Sequence, residues 1–329
     1  MSSTVVQESK PAEIEGWTTL QLTSAYGPVF RSVKTTPPRN ATREEIPVID
    51  VNGIFSKDIE DRKAVAAQIR QAATTIGFFY MKNHGIPQDT IASALKASKT
   101  FFHQPQETKE RVSVSGSKWH NGWNGPKSHR ANAVESIDYR ESFGMRYDPT
   151  TILLSMTLNL SHKTSKTEAV IEYWRACLST ARRLVRTFAL ALDLPEDHFD
   201  TMTSHPNAAI ALNYYPPIPQ SALEDKEEAV SIGSHTDLQF FTMLWQDQNG
   251  GLQVLNRDGQ WLNATPIEGT FLNIGDYLMR ITNDRFVSTV HRAKNFNTNE
   301  RFSMPFFFGM TRSAVAKPML IVYPTFQLQ

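Results

Sequence analysis

The chain has 329 residues, 40% of them hydrophobic and 20% charged, an ordinary globular composition long enough to bury a sizeable core. Its 34 Lys and Arg nearly balance 33 Asp and Glu, and a net charge of +1 offers no basic footprint for nucleic acid. One cysteine, Cys177, excludes an intrachain disulfide, and no apolar run approaches the ~20 residues needed to span a bilayer. Without a signal-peptide pattern at the start, these features predict a soluble, cytoplasmic protein with a small-molecule partner, no nucleic acid and no membrane.

In chain order, residues 1–45 form a peripheral N-terminal extension, with Pro37-Pro38 and scattered Ser and Thr predicting loops. Ile46–Asp50 predicts a short strand. Val65, Ile69, Ala72, Ala73 and Ile76 recur at helical spacing, so 58–76 is a helix with one buried face. Residues 76–81 predict a strand ended by Asn83-His84-Gly85, and a second helix covers 88–102. The stretch 115–130, rich in Gly, Ser, Asn and Trp, predicts a long loop. A long amphipathic helix spans 166–192, with Cys177 a small core residue on its apolar stripe. After Pro206 short apolar strands follow at 209–215, 239–245, 252–255, 270–274, 286–291 and 301–309, a spacing typical of a β-sandwich or barrel. Residues 46–160 are therefore an N-terminal region packed on a catalytic core of residues 161–329, forming one compact unit.

The chemistry-bearing residues fall in the β part. His235 and Asp237 are two residues apart, which on a strand puts both side chains on one face. His291, at the end of the predicted 286–291 strand, is the third candidate ligand. Two imidazoles and one carboxylate suit a non-haem iron(II) site with open positions. Downstream, Arg301 and Ser303 share a strand face, with Phe302 on the other. An arginine there can grip a carboxylate through two hydrogen bonds.

These segments, taken together, resemble the isopenicillin N synthase-like branch of the iron(II)/2-oxoglutarate-dependent dioxygenases. The blocks that carry the likeness are Ile46–Asp50, Ile76–Tyr80 with Asn83–Pro87, Asp138–Phe143, Asn213–Pro217, His235-Thr236-Asp237, Gly250–Val254, Asn273–Asp276, His291-Arg292 and Arg301-Phe302-Ser303. They run in family order across roughly 46–310. The resemblance implies an α+β, mainly β fold: a double-stranded β-helix (jelly roll) flanked by helices. It implies His235, Asp237 and His291 as ligands of Fe(II). Arg301 and Ser303 would bind the distal carboxylate of 2-oxoglutarate, supported by the Tyr215 hydroxyl, with Asn213 near the iron-bound end. O2 would be the second co-substrate, and the reaction an oxidation of a natural product by hydrogen abstraction, in secondary-metabolite biosynthesis. His84 belongs to a structural turn in this pattern.

On the substrate side, strand alternation places Phe307 on the face of Arg301 and Ser303, and one of Phe240 and Phe241 is expected to line the cavity. The resemblance implies that Ser142 and Gly144 lie on a strand bordering the pocket, and their small size would leave room there for a bulky or aromatic ligand. No cluster of extra basic residues near the motifs demands a phosphorylated substrate, so a small, largely apolar molecule is expected. Two rivals stay open at this point: an iron oxidase of the same fold that does not use 2-oxoglutarate, and a binding protein that has lost catalysis.

Overall fold

This computed structural model describes residues 14–24, 27–117, 120–128, 130–135, 138–146, 165–218, 231–267, 269–295 and 298–311. Residues 1–45 are not merely loops: strands β1 (Trp17–Ser24) and β2 (Gly27–Lys34) pair as an antiparallel hairpin. Alternation hid it, because most of the hairpin is exposed or half-buried, while Leu22 and Val33 pack on Leu255, Trp261 and Val290. Short strands β3 (Arg39–Asn40) and β4 (Val48–Asp50) follow.

Helix α1 (Ile59–Thr75) starts at Asp58, whose carboxylate accepts from the Glu60 N–H, and carries Glu60 and Asp61 in its positive first turn. It ends where Gly77 turns left-handed (φ +67°) and returns its N–H to the Ala72 carbonyl. A Cβ there would lie 1.9 Å from the Val287 carbonyl oxygen, so no other residue fits. Strand β5 (Phe78–Lys82), helix α2 (Gln88–Phe102) and helix α3 (Gln106–Glu110) come next. The predicted 115–130 loop instead contains a short strand, β6 (Gly122–Asn124), paired with β7 (Glu141–Arg146). The pairing is anchored by a buried carboxylate: Lys109 Nζ and Trp123 Nε1 both donate to Glu141, at 2.6 and 2.7 Å. Gly/Asn-rich sequence has little strand propensity, so this tertiary anchor was invisible to pattern reading.

Helix α4 (Ser165–Ala191) is the long amphipathic helix, with Cys177 buried on it. Then come β8 (Asn207–Tyr215), β9 (Ile232–His235), β10 (Phe241–Gln246), β11 (Leu252–Leu255), β12 (Trp261–Asn263), β13 (Thr270–Ile274), the short α5 (Asp276–Ile281), β14 (His291–Ala293) and β15 (Arg301–Gly309). The expected strand at 286–291 is corrected: 286–290 is irregular, and His291 opens β14 rather than ending a strand.

Eight strands form the major sheet in the order β4-β5-β13-β10-β15-β8-β7-β6, and five form the minor sheet, β3-β12-β11-β14-β9. Alternation sorts the major sheet's side chains. Phe79, Met81, Ile210, Leu212, Phe302, Met304, Phe306 and Phe308 pack against α1, α2 and α4 in the main core. Phe78, Tyr80 and Phe271 turn the other way and meet Leu252 and Val254 of the minor sheet. A cavity lies between the two sheets. Among the described residues, no helix is long and apolar enough to cross a membrane.

Candidate active site

His235 and His291 are direct cross-strand partners on β9 and β14, with ring centroids 4.3 Å apart. Each ring is oriented by its own chain two residues back. His235 Nδ1 donates to the Gly233 carbonyl at 2.7 Å, and His291 Nδ1 donates to the Thr289 carbonyl at 3.0 Å. A carbonyl only accepts, so the proton sits on Nδ1 in both rings and each Nε2 keeps a free lone pair. Those two Nε2 atoms lie 3.8 and 3.9 Å from one oxygen, Asp237 Oδ1.

Strand alternation is not what brings Asp237 there, because β9 ends at His235. Asp237 lies past the strand end, where its carbonyl accepts from the Asp276 N–H at 2.7 Å. Its other carboxylate oxygen, Oδ2, accepts from Thr242 Oγ1 (2.5 Å) and Asn273 Nδ2 (3.0 Å), which leaves Oδ1 for the imidazoles. Burial pushes the Asp237 carboxyl up, but His291, His235 and those two hydrogen bonds together bring it below its usual value. Burial, then the neighbouring His235, lower His291 to about 4 against the pull of Asp237. The carboxylate is thus ionised and the His291 imidazole neutral at pH 7, the protonation states a metal requires. Among the described residues these are the only three His, Cys, Asp or Glu side chains whose ligand atoms all lie within 4.8 Å of one another.

The cavity around them has a volume of about 510 Å³, in the range of small-molecule sites. Arg301, Ser303, Pro305 and Phe307 of β15 line it, as do Asn213 and Tyr215 of β8. Arg301 is 1% exposed. Its Nε donates to the Gly250 carbonyl and Nη2 to Gln246 Oε1, both neutral acceptors, and its guanidinium lies over the Tyr215 ring at 4.4 Å. Nη1 has no hydrogen-bond partner among the described residues. A buried cation with an idle donor is costly unless an anion completes it. Ser303 Oγ sits beside it, 3.1 Å from the Tyr215 hydroxyl and 3.3 Å from Asn213 Nδ2. The donor set therefore fits a carboxylate group, and the facing His-Asp-His cluster fits a divalent metal with open positions.

Ser142 and Gly144 line the cavity from β7, opposite Asn213 and Ala211. Phe240 and Phe241 do not line it. Thr242 and Leu244 of β10 face the cavity, so by alternation Phe241 faces the helices, stacked on Phe308 and tilted on Phe188. Phe240, just before the strand, packs edge-on against Phe199. Sequence reasoning missed Arg140, a cavity-lining cation that donates to Asn213 Oδ1. Its spacing could have revealed it: Arg140, Ser142, Gly144 and Arg146 alternate on one face of the β7 segment, and all four line the cavity. His84 has the turn role expected of it, its Nδ1 accepting from the Ile86 N–H at 3.1 Å.

Comparison with known proteins bears on the same assembly. Residues 206–310 match the 2OG-Fe(II) oxygenase superfamily, and residues 46–167 match the N-terminal region described for a non-haem dioxygenase in morphine synthesis. The chain is 47% identical to the 2-oxoglutarate-Fe(II) type oxidoreductase ppzC of Metarhizium rileyi, across 89% of this chain and 84% of that protein. It is 31% identical to the DMR6-like oxygenase 1 of Arabidopsis thaliana, across 84% of this chain and 75% of that one. In fold it is similar to the dioxygenase for auxin oxidation 1 of Arabidopsis thaliana, solved with 2-oxoglutarate. There the TM-score is 0.68 at 23% identity, covering 83% of this chain and 96% of that one. The chain belongs to the 2-oxoglutarate- and iron(II)-dependent oxygenases, double-stranded β-helix enzymes whose cofactor is Fe(II) and whose co-substrates are 2-oxoglutarate and O2.

Proposed function

We propose that this enzyme oxidises a small, largely apolar natural product in secondary-metabolite biosynthesis, with each cavity residue in a defined role. His235 Nε2, Asp237 Oδ1 and His291 Nε2 hold iron(II). Arg301 and Ser303 receive the distal carboxylate of 2-oxoglutarate, and the Tyr215 hydroxyl supports Ser303 from below. Asn213 links that seat to Arg140. Iron held by these three residues would supply the oxidising chemistry: 2-oxoglutarate and O2 would give succinate and CO2, with one oxygen atom entering succinate and the other leaving with the abstracted hydrogen, as a substrate hydroxyl or as water. The chain's part is positional. Alternate residues of β7, β8 and β15 form a floor of Gly144, Ala209, Ala211 and Phe307 on which an apolar body can lie. A cytoplasmic setting, where reduced iron and thiols persist, belongs to the same reading.

The observation that carries the co-substrate assignment is the idle Nη1 of buried Arg301. The test is anaerobic addition of Fe(II) and then 2-oxoglutarate, read as a visible charge-transfer band, followed by substrate-dependent succinate formation in air. Product formed equally well without 2-oxoglutarate would favour an oxidase and sink the assignment.

A further inference from the structure

The strand that carries His235 is the outermost of the minor sheet, with β14 on one side and no strand on the other among the described residues. A bare strand edge beside a metal ligand would be soft and prone to stray pairing. Here three side chains from one stretch close it. Asp138 Oδ1 accepts from the Gly233 N–H at 3.2 Å. Glu135 takes the Ser234 N–H on Oε2 at 2.5 Å and the Ser234 Oγ–H on Oε1 at 2.8 Å. Asn132 Nδ2 donates to the Ser234 carbonyl at 3.1 Å and also to the Gln21 carbonyl of the N-terminal hairpin at 2.8 Å. The stretch sits directly on the strand: a Cβ added to Gly233 would lie 2.8 Å from Glu135 Oε2 and 3.1 Å from the Asn132 Cβ.

The peptide being held is the one that orients the metal ligand. The Gly233 carbonyl fixes the His235 ring and its tautomer through the 2.7 Å bond from Nδ1. We propose that Asn132, Glu135 and Asp138 form a positioning clamp for His235. Glu135 is its principal positioning residue, acting through Ser234 and the Gly233 carbonyl on the imidazole that receives iron. The clamp rests on the ligand set proposed above and adds residues outside it. It also gives the hairpin of residues 17–34, which precedes the matched family regions, a link to the metal centre through Gln21 and Asn132.

Hydrogen-bond reach, not charge, is the property at work, and two variants separate them. Glu135→Gln keeps the length: its amide oxygen can accept from the Ser234 N–H and its amide nitrogen can donate to Ser234 Oγ. Glu135→Asp keeps the charge but is one methylene too short to hold both. Iron(II) is titrated anaerobically into the metal-free full chain and each variant, and amide hydrogen exchange is followed over residues 232–235. Loss of an orienting partner of a metal-bound histidine typically weakens the metal about 10- to 100-fold. Glu135→Asp is expected to fall in that range with faster exchange at Gly233 and Ser234, and Glu135→Gln to stay within about 3-fold of the parent. Should Glu135→Asp fail to fold, Gly233→Ala, whose methyl displaces Glu135 and Asn132, is expected to give the same weakening. Parental affinity and exchange in Glu135→Asp or Gly233→Ala would overturn the clamp, as would a Glu135→Gln variant as weak as Glu135→Asp. Absence of stoichiometric iron binding in the parent chain would instead overturn the proposed ligand set, and slow parental exchange at Gly233 and Ser234 that quickens in Glu135→Asp would still report the clamp itself.

Discussion

Arg301 carries a positive charge at 1% exposure with two nitrogens on neutral acceptors and a third on none among the described residues. Its desolvation is left to be compensated by whatever anion enters the cavity. Replacement by Met, similar in length and uncharged, removes that cost in the metal-free protein along with the anion grip. Arg301→Met is therefore expected to melt no lower than the parent when ligand-free. Its KM for 2-oxoglutarate should rise about 30- to 150-fold, from the ~2–3 kcal/mol of a hydrogen-bonded charge pair. Co-substrate should raise the parent's Tm but not the variant's. An unchanged KM would remove Arg301 from the co-substrate seat. At this scale the side chains that meet in the cavity, His235, Asp237, His291, Arg301 and Ser303, could be singled out in the sequence by their spacing: H-x-D, a distant His and R-x-S. The reason they converge was not readable there. Asp237 reaches the imidazoles past the strand end, held by Thr242 five residues on and by Asn273 and Asp276 more than thirty residues away.

Among the elements, β7 and β8 set the shape of the cavity floor. Gly144 faces Ala211 across the pair, and a Cβ at Gly144 would meet nothing nearer than the His120 carbonyl oxygen at 3.8 Å. That open space belongs to the cavity, so a larger side chain there takes volume from the substrate without touching the metal or Arg301. Gly144→Leu is expected to leave iron binding and the 2-oxoglutarate charge-transfer band intact. It should reduce kcat/KM for a bulky substrate at least about 10-fold, the scale of a few displaced methylenes in an apolar pocket. Equal activity on all substrates would show that the floor is not where the substrate lies. Strand alternation was the sequence's strongest guide at this scale, and it correctly placed Phe307 in the cavity. It failed for Phe240, which has the parity of the cavity-lining Thr242 and Leu244 but precedes the strand: β10 begins at Phe241 and not at 239, so alternation does not reach Phe240, which packs on Phe199. The hairpin of residues 17–34 and strand β6 were missed for other reasons. The strand character of β6 comes from its partner β7, while the hairpin, whose strands pair with each other and carry strand-favouring Trp, Thr, Val and Phe, was passed over because Pro37-Pro38 and scattered Ser and Thr marked 1–45 as loops.

For the molecule as a whole, the metal-free protein carries a pH liability. His291 is lowered from its usual 6.5 to about 4, chiefly by burial. Between those values the unfolded chain binds a proton that the folded one refuses, so the His291 contribution to stability falls as pH drops from about 6.5 towards 4 and levels off below. Asp237, held below its usual 3.8, adds a loss of the same sign that sets in only as the pH nears 4 and continues below it. The Tm of the iron-free protein should therefore fall between pH 7 and 4.5, and His291→Asn should flatten that slope. A parent Tm independent of pH over the window would contradict the burial of a neutral imidazole.

The strand order of the major sheet has one more outcome. Its inner strands, β13, β10, β15 and β8, come from the C-terminal half of the chain. The N-terminal half supplies both flanks: β4-β5 beside β13 and β7-β6 beside β8. A fragment beginning at Ser165 would keep the His-Asp-His cluster yet leave two raw hydrogen-bonding margins, open to copies of themselves. Expressed alone, such a fragment is expected in the insoluble fraction, and co-expression of residues 1–164 as a separate polypeptide is expected to return part of it to solution.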